Sequence, residues 1–165
     1  LMGGINTHAY APNSTGWVDP SGLARKKKQS QALGKAATGC DAWPGKQAHH
    51  VIPEDLEDHA VLKNIGFKMN SGSNAIMLPS SPDGYMSSHS GYHSAYNKAV
   101  EAELDHIGKK YGTRADQETA VKDLQRNLDS ALRKNKLPLY MTMCGKKTGL
   151  KNGDWDRYIK SSRRY

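Results

Sequence analysis

The chain has 165 residues, of which 36% are apolar and 7% aromatic, about one domain's worth with an apolar share below the globular average. Lys and Arg number 24 against 16 Asp and Glu, a net charge of +8. Such a chain cannot build a large enzyme barrel. Its apolar runs, such as Ala75-Ile76-Met77-Leu78, fall far short of the ~20 residues a membrane helix needs, so no membrane insertion is expected.

In chain order, residues 1–23 are turn-rich, with Gly3-Gly4, Pro12-Asn13, Thr15-Gly16 and Asp19-Pro20-Ser21-Gly22 around Tyr10, Trp17 and Val18. They read as short extended pieces between turns. A chain that opens on Leu1 is expected to be part of a longer one. The composition changes at Leu23, and residues 24–48 hold six basic residues against one acidic. Residues 24–44 read as a basic linker or solvated arm. The segment at 45–53 predicts a short strand ended by Pro53. Glu54 to Gly66 predicts a helix, with Glu54, Asp55, Glu57 and Asp58 in its first turns and Gly66 as its stop.

The run Ala75 to Leu78, closed by Pro79, predicts a second strand. From about His89 to Tyr111 a helix is expected, with Tyr96, Val100, Leu104 and Ile107 along one side. Another is expected from Asp116 to Lys134, with Ala120, Leu124, Leu128 and Leu132 on its buried face. Past Pro138 the sequence reads as an irregular tail. It is strongly basic, since residues 133–165 hold ten basic residues against two acidic. Positive charge thus flanks a mildly acidic middle, as suits a grip on a polyanion or a meeting with an acidic partner. Cys40 and Cys144 do not make a disulfide framework, and neither receives a role.

The chemistry-bearing residues are His49-His50 at the end of the first strand, Asn74 before the second, and His89 and His93 four residues apart. On a helix that spacing places both imidazoles on one side, within reach of one metal ion. A third imidazole from the strand would complete a three-histidine site with open coordination positions, the mark of catalytic sites. One histidine of the pair would then bind the metal and the other would be available as a base, since imidazole titrates near neutrality. Asn74 can orient that segment by bonding its backbone. His8, His59 and His106 read as ordinary surface or satisfied histidines, and a fourth ligand for a structural zinc site, from Cys40 or His59, is not evidently placed.

Together, Ala48-His49-His50-Val51-Ile52-Pro53, Asn74-Ala75-Ile76-Met77-Leu78-Pro79 and His89-Ser90-Gly91-Tyr92-His93-Ser94-Ala95-Tyr96-Asn97 resemble the AHH group of HNH/endonuclease VII-type nucleases. The resemblance covers about residues 45–110. It implies an α+β fold, a ββα-metal (His-Me) finger with additional packed helices. By similarity, His50 is the general base, Asn74 holds the two-strand finger in shape, and His49, His89 and His93 hold one divalent metal ion: Mg, Mn, Zn or Ni. The implied activity is metal-dependent hydrolysis of phosphodiester bonds, of DNA before RNA. A zinc-stabilised module that binds nucleic acid without cutting it is the alternative. Lys26, Lys27, Lys28, Lys146, Lys147, Arg157 and Lys160 are candidate nucleic-acid contacts, whereas Trp155 and Tyr158 read as packing residues before stacking ones.

The N-terminal stretch Gly16-Trp17-Val18-Asp19-Pro20-Ser21-Gly22-Leu23 resembles the end of an Rhs-type core. There a DPxGL motif, here Asp19, Pro20, Gly22 and Leu23, separates a β-rich shell from a C-terminal toxin and marks a site of autoproteolysis. The implied organisation is a core remnant over 1–23, a basic arm over 24–44 and a nuclease toxin domain over 45–165. By the same resemblance the expected partners are nucleic acid, the Rhs core shell of the parent chain and a cognate, acidic immunity protein. Delivery by a contact-dependent apparatus of the type VI secretion kind, and action in the cytoplasm of a target bacterium, are implied as well.

Overall fold

A computed structural model describes residues 23–81, 84–89, 93–140, 142–143 and 146–163, with no account of the side chains of 23–30, 142, 143 and 146. Asp19, Pro20 and Gly22 lie outside the described residues. The first described element is helix α1, Leu23–Thr38. The expected solvated arm is therefore helical over much of its length. Ala, Arg, Lys, Gln and Leu dominate it, all good helix formers, and Leu33 is completely buried with Ala48 and Ala75. Gly39, with φ at +72°, ends the helix, its N–H bonded to the Lys35 carbonyl.

Strands β1 (Lys46–His50) and β2 (Ala75–Pro79) pair antiparallel, with Ala48 opposite Met77, His49 opposite Ile76 and His50 opposite Ala75. Successive strand residues face opposite sides, and here each side meets a different element. Ala48, Ala75 and Met77 pack on Leu33 of α1, while Ile76 and Leu78 enter the main core. His49 therefore faces the main core and its neighbours in sequence face away from it.

Between the strands, the helix expected over 54–66 is broken in two: a 3-10 turn at Glu54–Leu56 and helix α2, Ala60–Ile65. The break falls at His59, which is extended and whose Nδ1 accepts the N–H of Val61, capping α2. Gly66, left-handed at φ +68°, ends it as expected. Two long helices follow, α3 (Ser94–Lys110) and α4 (Arg114–Arg133), the latter capped by Thr113. Both expected apolar faces are buried: Tyr96, Val100, Leu104 and Ile107 on α3, and Ala120, Leu124, Leu128 and Leu132 on α4.

The expected irregular tail instead holds a short hairpin, β3 (Thr142–Met143) with β4 (Lys146–Lys147), and helix α5, Asp154–Ser161. Trp155 and Ile159, one turn apart, bury against the core. Just beyond α5, the Arg163 guanidinium forms a two-pronged ion pair with Glu103 of α3, which is 2% exposed. Among the described residues no helix is long and apolar enough to cross a membrane.

Two glycines let neighbouring segments approach closely at α1. A Cβ on Gly34 would lie 2.2 Å from the Trp43 ring, and one on Gly72 would lie 2.5 Å from the Ala36 carbonyl oxygen. Gly34→Val is therefore expected to push the Trp43 ring off α1 and cost about 1–3 kcal/mol, the range for overpacking. Urea unfolding followed by tryptophan fluorescence measures it; an unchanged midpoint would show that α1 tolerates the displacement.

Candidate metal centre and active site

One face of the β1–β2 finger gathers three histidines from three places in the fold. His49 comes from β1, His89 from the loop after β2, and His93 from the N-cap of α3. Each offers a ligand nitrogen, and these nitrogens all lie within 4.8 Å of one another. Ring centroids are 4.8 Å apart for His49 and His93, 5.1 Å for His49 and His89, and 6.0 Å for His89 and His93. His89 and His93 do not meet as neighbours on a helix face, because α3 begins only at Ser94. The loop brings His89 in, held by its N–H on the Pro79 carbonyl at 2.8 Å.

The residues fit a metal ion. His49 is 3% exposed, and among the described residues its Nε2 is a buried polar atom without a hydrogen-bond partner. Such an atom is costly unless something fills its lone pair. The other two rings are engaged at Nδ1: His89 with Gln47 Oε1 at 2.8 Å, and His93 with Asn97 Oδ1 at 2.7 Å. Asn97 in turn donates from Nδ2 to Asp55 at 2.7 Å. Tyr96 and Tyr140 pack their rings against the cluster.

His50 stands apart from the three. It lines the same cleft as His49, His89, His93, Asp55 and Asn97, and its Nε2 lies 2.9 Å from Asn70 Oδ1. Asn74 is completely buried. Its Nδ2 donates to the carbonyls of Ile52 and Met69, and its Oδ1 accepts the N–H of Ile52 at 2.7 Å and Nε2 of Gln125. Its own carbonyl accepts the N–H of Val51. The turn that leaves His50 is thus pinned to the start of β2.

A family model described as a nuclease family of the HNH/ENDO VII superfamily with conserved AHH matches residues 30–130. The chain belongs to the AHH nuclease family. The match contains His49, His50, Asn74, His89 and His93, and the conserved AHH corresponds to the run Ala48-His49-His50. No curated protein and no solved structure gives a significant match.

The electrostatics of the AHH site suit ligation by neutral imidazoles. Burial, followed by the neighbouring His93, His89 and His50, holds His49 well below the usual histidine range. Burial and then His93 and His50 bring His89 down to about 4. Burial also lowers His93, against the opposing pull of Asn97 and Asp55. Below about pH 6.5 the unfolded chain takes up protons that the folded site refuses. This contribution to stability is therefore complete above about pH 6.5 and declines as the pH falls toward His89's value near 4. Without metal, the unfolding free energy should drop between pH 7 and pH 5, by up to about 1.4 kcal/mol per pH unit for each neutral histidine. Urea titrations in chelator measure it; a midpoint constant over that range would contradict it.

The remaining expected residues lie elsewhere. Lys26, Lys27 and Lys28 are on the first turns of α1, and Lys146 and Lys147 on β4. Arg157 and Lys160 are exposed on α5, paired with Asp154 and Asp156 of the same helix. Lys147, Arg157 and Lys160 are not among the residues lining the histidine cleft. Trp155 is a packing residue: it is 1% exposed, donates to the Pro138 carbonyl and packs on Tyr96 and Tyr158. His59 is engaged with Asp105 and caps α2, and Cys40 is exposed, so neither joins the three histidines. Cys144 lies outside the described residues.

Gln47, Asn70, Asp55 and Asn97 were not among the expected site residues. Two had a readable signal. Gln47 is two residues before His49, hence on the same strand face, and Asn97 is one helical turn after His93.

Proposed function

We propose that this AHH nuclease is a bacterial toxin that hydrolyses DNA. The observation that carries the catalytic part is the convergence of His49, His89 and His93 with His50 lining the same cleft. A divalent ion held by the three imidazoles would supply positive charge to the phosphoryl oxygens and the departing 3′ oxygen. His50 accepts a proton from the attacking water, and the Asn74 pins fix the backbone that carries it. Three imidazoles suit zinc or nickel, while magnesium or manganese can serve in the cell. The AHH site has room for chemistry because the two residues considered as a fourth protein ligand, Cys40 and His59, lie outside the cluster.

DNA is favoured over RNA by the superfamily resemblance. The basic residues of α1 and of the C-terminal segment would contact phosphates without choosing a sequence. The toxin reading is supported by the Asp19-Pro20-Ser21-Gly22-Leu23 motif directly upstream of the AHH module. On that reading the chain is the tip of an Rhs-type protein, delivered by a contact-dependent apparatus into the cytoplasm of a competing bacterium. The net charge of +8 favours an acidic immunity protein as its inhibitor.

Regulated expression of the chain in a bacterial cytoplasm tests this reading. Wild-type protein should stop growth with loss of chromosomal DNA, and His50→Ala should be harmless at equal abundance. Loss of RNA with DNA intact would move the assignment to an RNase toxin. Unimpaired growth with folded wild-type protein would contradict the toxin reading.

A further inference from the structure

We propose that Asp55 and Asn97, together with Gln47, are positioning residues that set which nitrogen His93 and His89 turn toward a divalent cation. The inference rests on the reading of His49, His89 and His93 as ligands of one ion, and concerns residues to which that reading gives no part.

The direction of the chain follows from what each group can do. A carboxylate only accepts hydrogen bonds, so the Asn97 atom facing Asp55 is its Nδ2, at 2.7 Å. That fixes the amide, and Asn97 Oδ1, an acceptor, faces His93 Nδ1 at 2.7 Å. His93 therefore donates from Nδ1. A neutral imidazole carries one N–H, so its lone pair sits on Nε2. Gln47 Oε1 imposes the same state on His89 across a 2.8 Å bond. His49 completes the pattern independently, since its Nε2 is the buried atom without a partner. All three rings thus present Nε2, two of them because a side-chain amide holds Nδ1.

The two supports differ in reach. Gln47 comes from β1, the strand that carries His49, so it ties His89 to the finger. Asp55 comes from the turn after Pro53, 42 residues before Asn97, so it ties α3 to the segment just beyond His50. Outer partners of this kind typically change metal affinity 10- to 100-fold.

The test is zinc affinity, by competition with a chromogenic chelator, and the melting temperature with and without zinc, for the whole chain. Asn97→Leu and Gln47→Leu should each weaken zinc about tenfold or more, and their losses should multiply, since they act on different ligands. Asp55→Ala, which removes the acceptor, should weaken zinc less than Asn97→Leu, and the Asp55→Ala/Asn97→Leu pair should be no weaker than Asn97→Leu alone. Asp55 is exposed, so Asp55→Ala should keep the metal-free melting temperature and shrink only the zinc-induced rise. It decides the matter if the buried Asn97→Leu does not fold. Wild-type affinity in the folded variants would overturn the proposal, as would a loss matched by an equal fall in metal-free stability. Wild-type protein that binds no zinc, nickel or manganese would instead remove the ligand reading and the proposal with it.

Discussion

His50→Ala is expected to lower phosphodiester cleavage about 10²- to 10⁴-fold, the usual share of a positioned general base, with the fold and the metal affinity unchanged. Among the described residues His50 has one side-chain hydrogen-bond partner, Asn70, in an exposed bond, so its removal is expected to cost little stability. It is not one of the three clustered histidines, so metal affinity should be unchanged. His93→Ala should differ. It removes a ligand and an Asn97 contact, so cleavage and metal affinity should fall together. Initial rates on plasmid DNA, set beside zinc titrations of both variants, separate the two roles. A His50→Ala enzyme that cuts at the wild-type rate would remove His50 as the base.

Asn74→Leu is expected to have the largest effect on stability, about 3–5 kcal/mol. The leucine would fill the space but leave the N–H and carbonyl of Ile52 and the carbonyl of Met69 without the partner they have now. Each buried group so stranded costs about 1–3 kcal/mol. The loss should appear as a lower urea midpoint. Because the freed turn carries His50, the fraction that remains folded should also cut more slowly. A loss below about 1 kcal/mol would mean that the turn between β1 and α2 is held by something other than Asn74.

The pinned turn also shows what could be read from the sequence. Asn74 and the paired histidines were legible because the finger is made of two short strands, β1 ending at His50, three residues before Pro53, and β2 ending on Pro79. The long faces of α3 and α4 were legible from apolar residues spaced by three and four. The route by which His89 reaches the site was not. The spacing of four looks helical, and only the start of α3 at Ser94 shows that a loop bonded to Pro79 delivers it. Helix α1 was hidden by its charge: Arg25 to Lys28 dominate its polarity, and over residues 31–38 the buried Leu33 has only the small Ala36 and Ala37 a turn beyond it, too little to read as a stripe. Helix α5 was hidden by its length of 8 residues, with Trp155 and Ile159 as its only buried apolar side chains. Asp55 was invisible for a different reason, since its partner Asn97 is 42 residues away and nothing local marks the contact.

An ion held by the three histidines is expected to be required for phosphodiester cleavage. Supercoiled plasmid incubated with the whole wild-type chain, stripped of metal and then given Mg, Mn, Zn or Ni, tests it directly. The stripped protein should leave the plasmid intact, at least one of these ions should restore nicking and degradation, and EDTA should stop it again. Folded protein that leaves the plasmid and total RNA whole with every ion, or that cuts equally well with EDTA throughout, would contradict it.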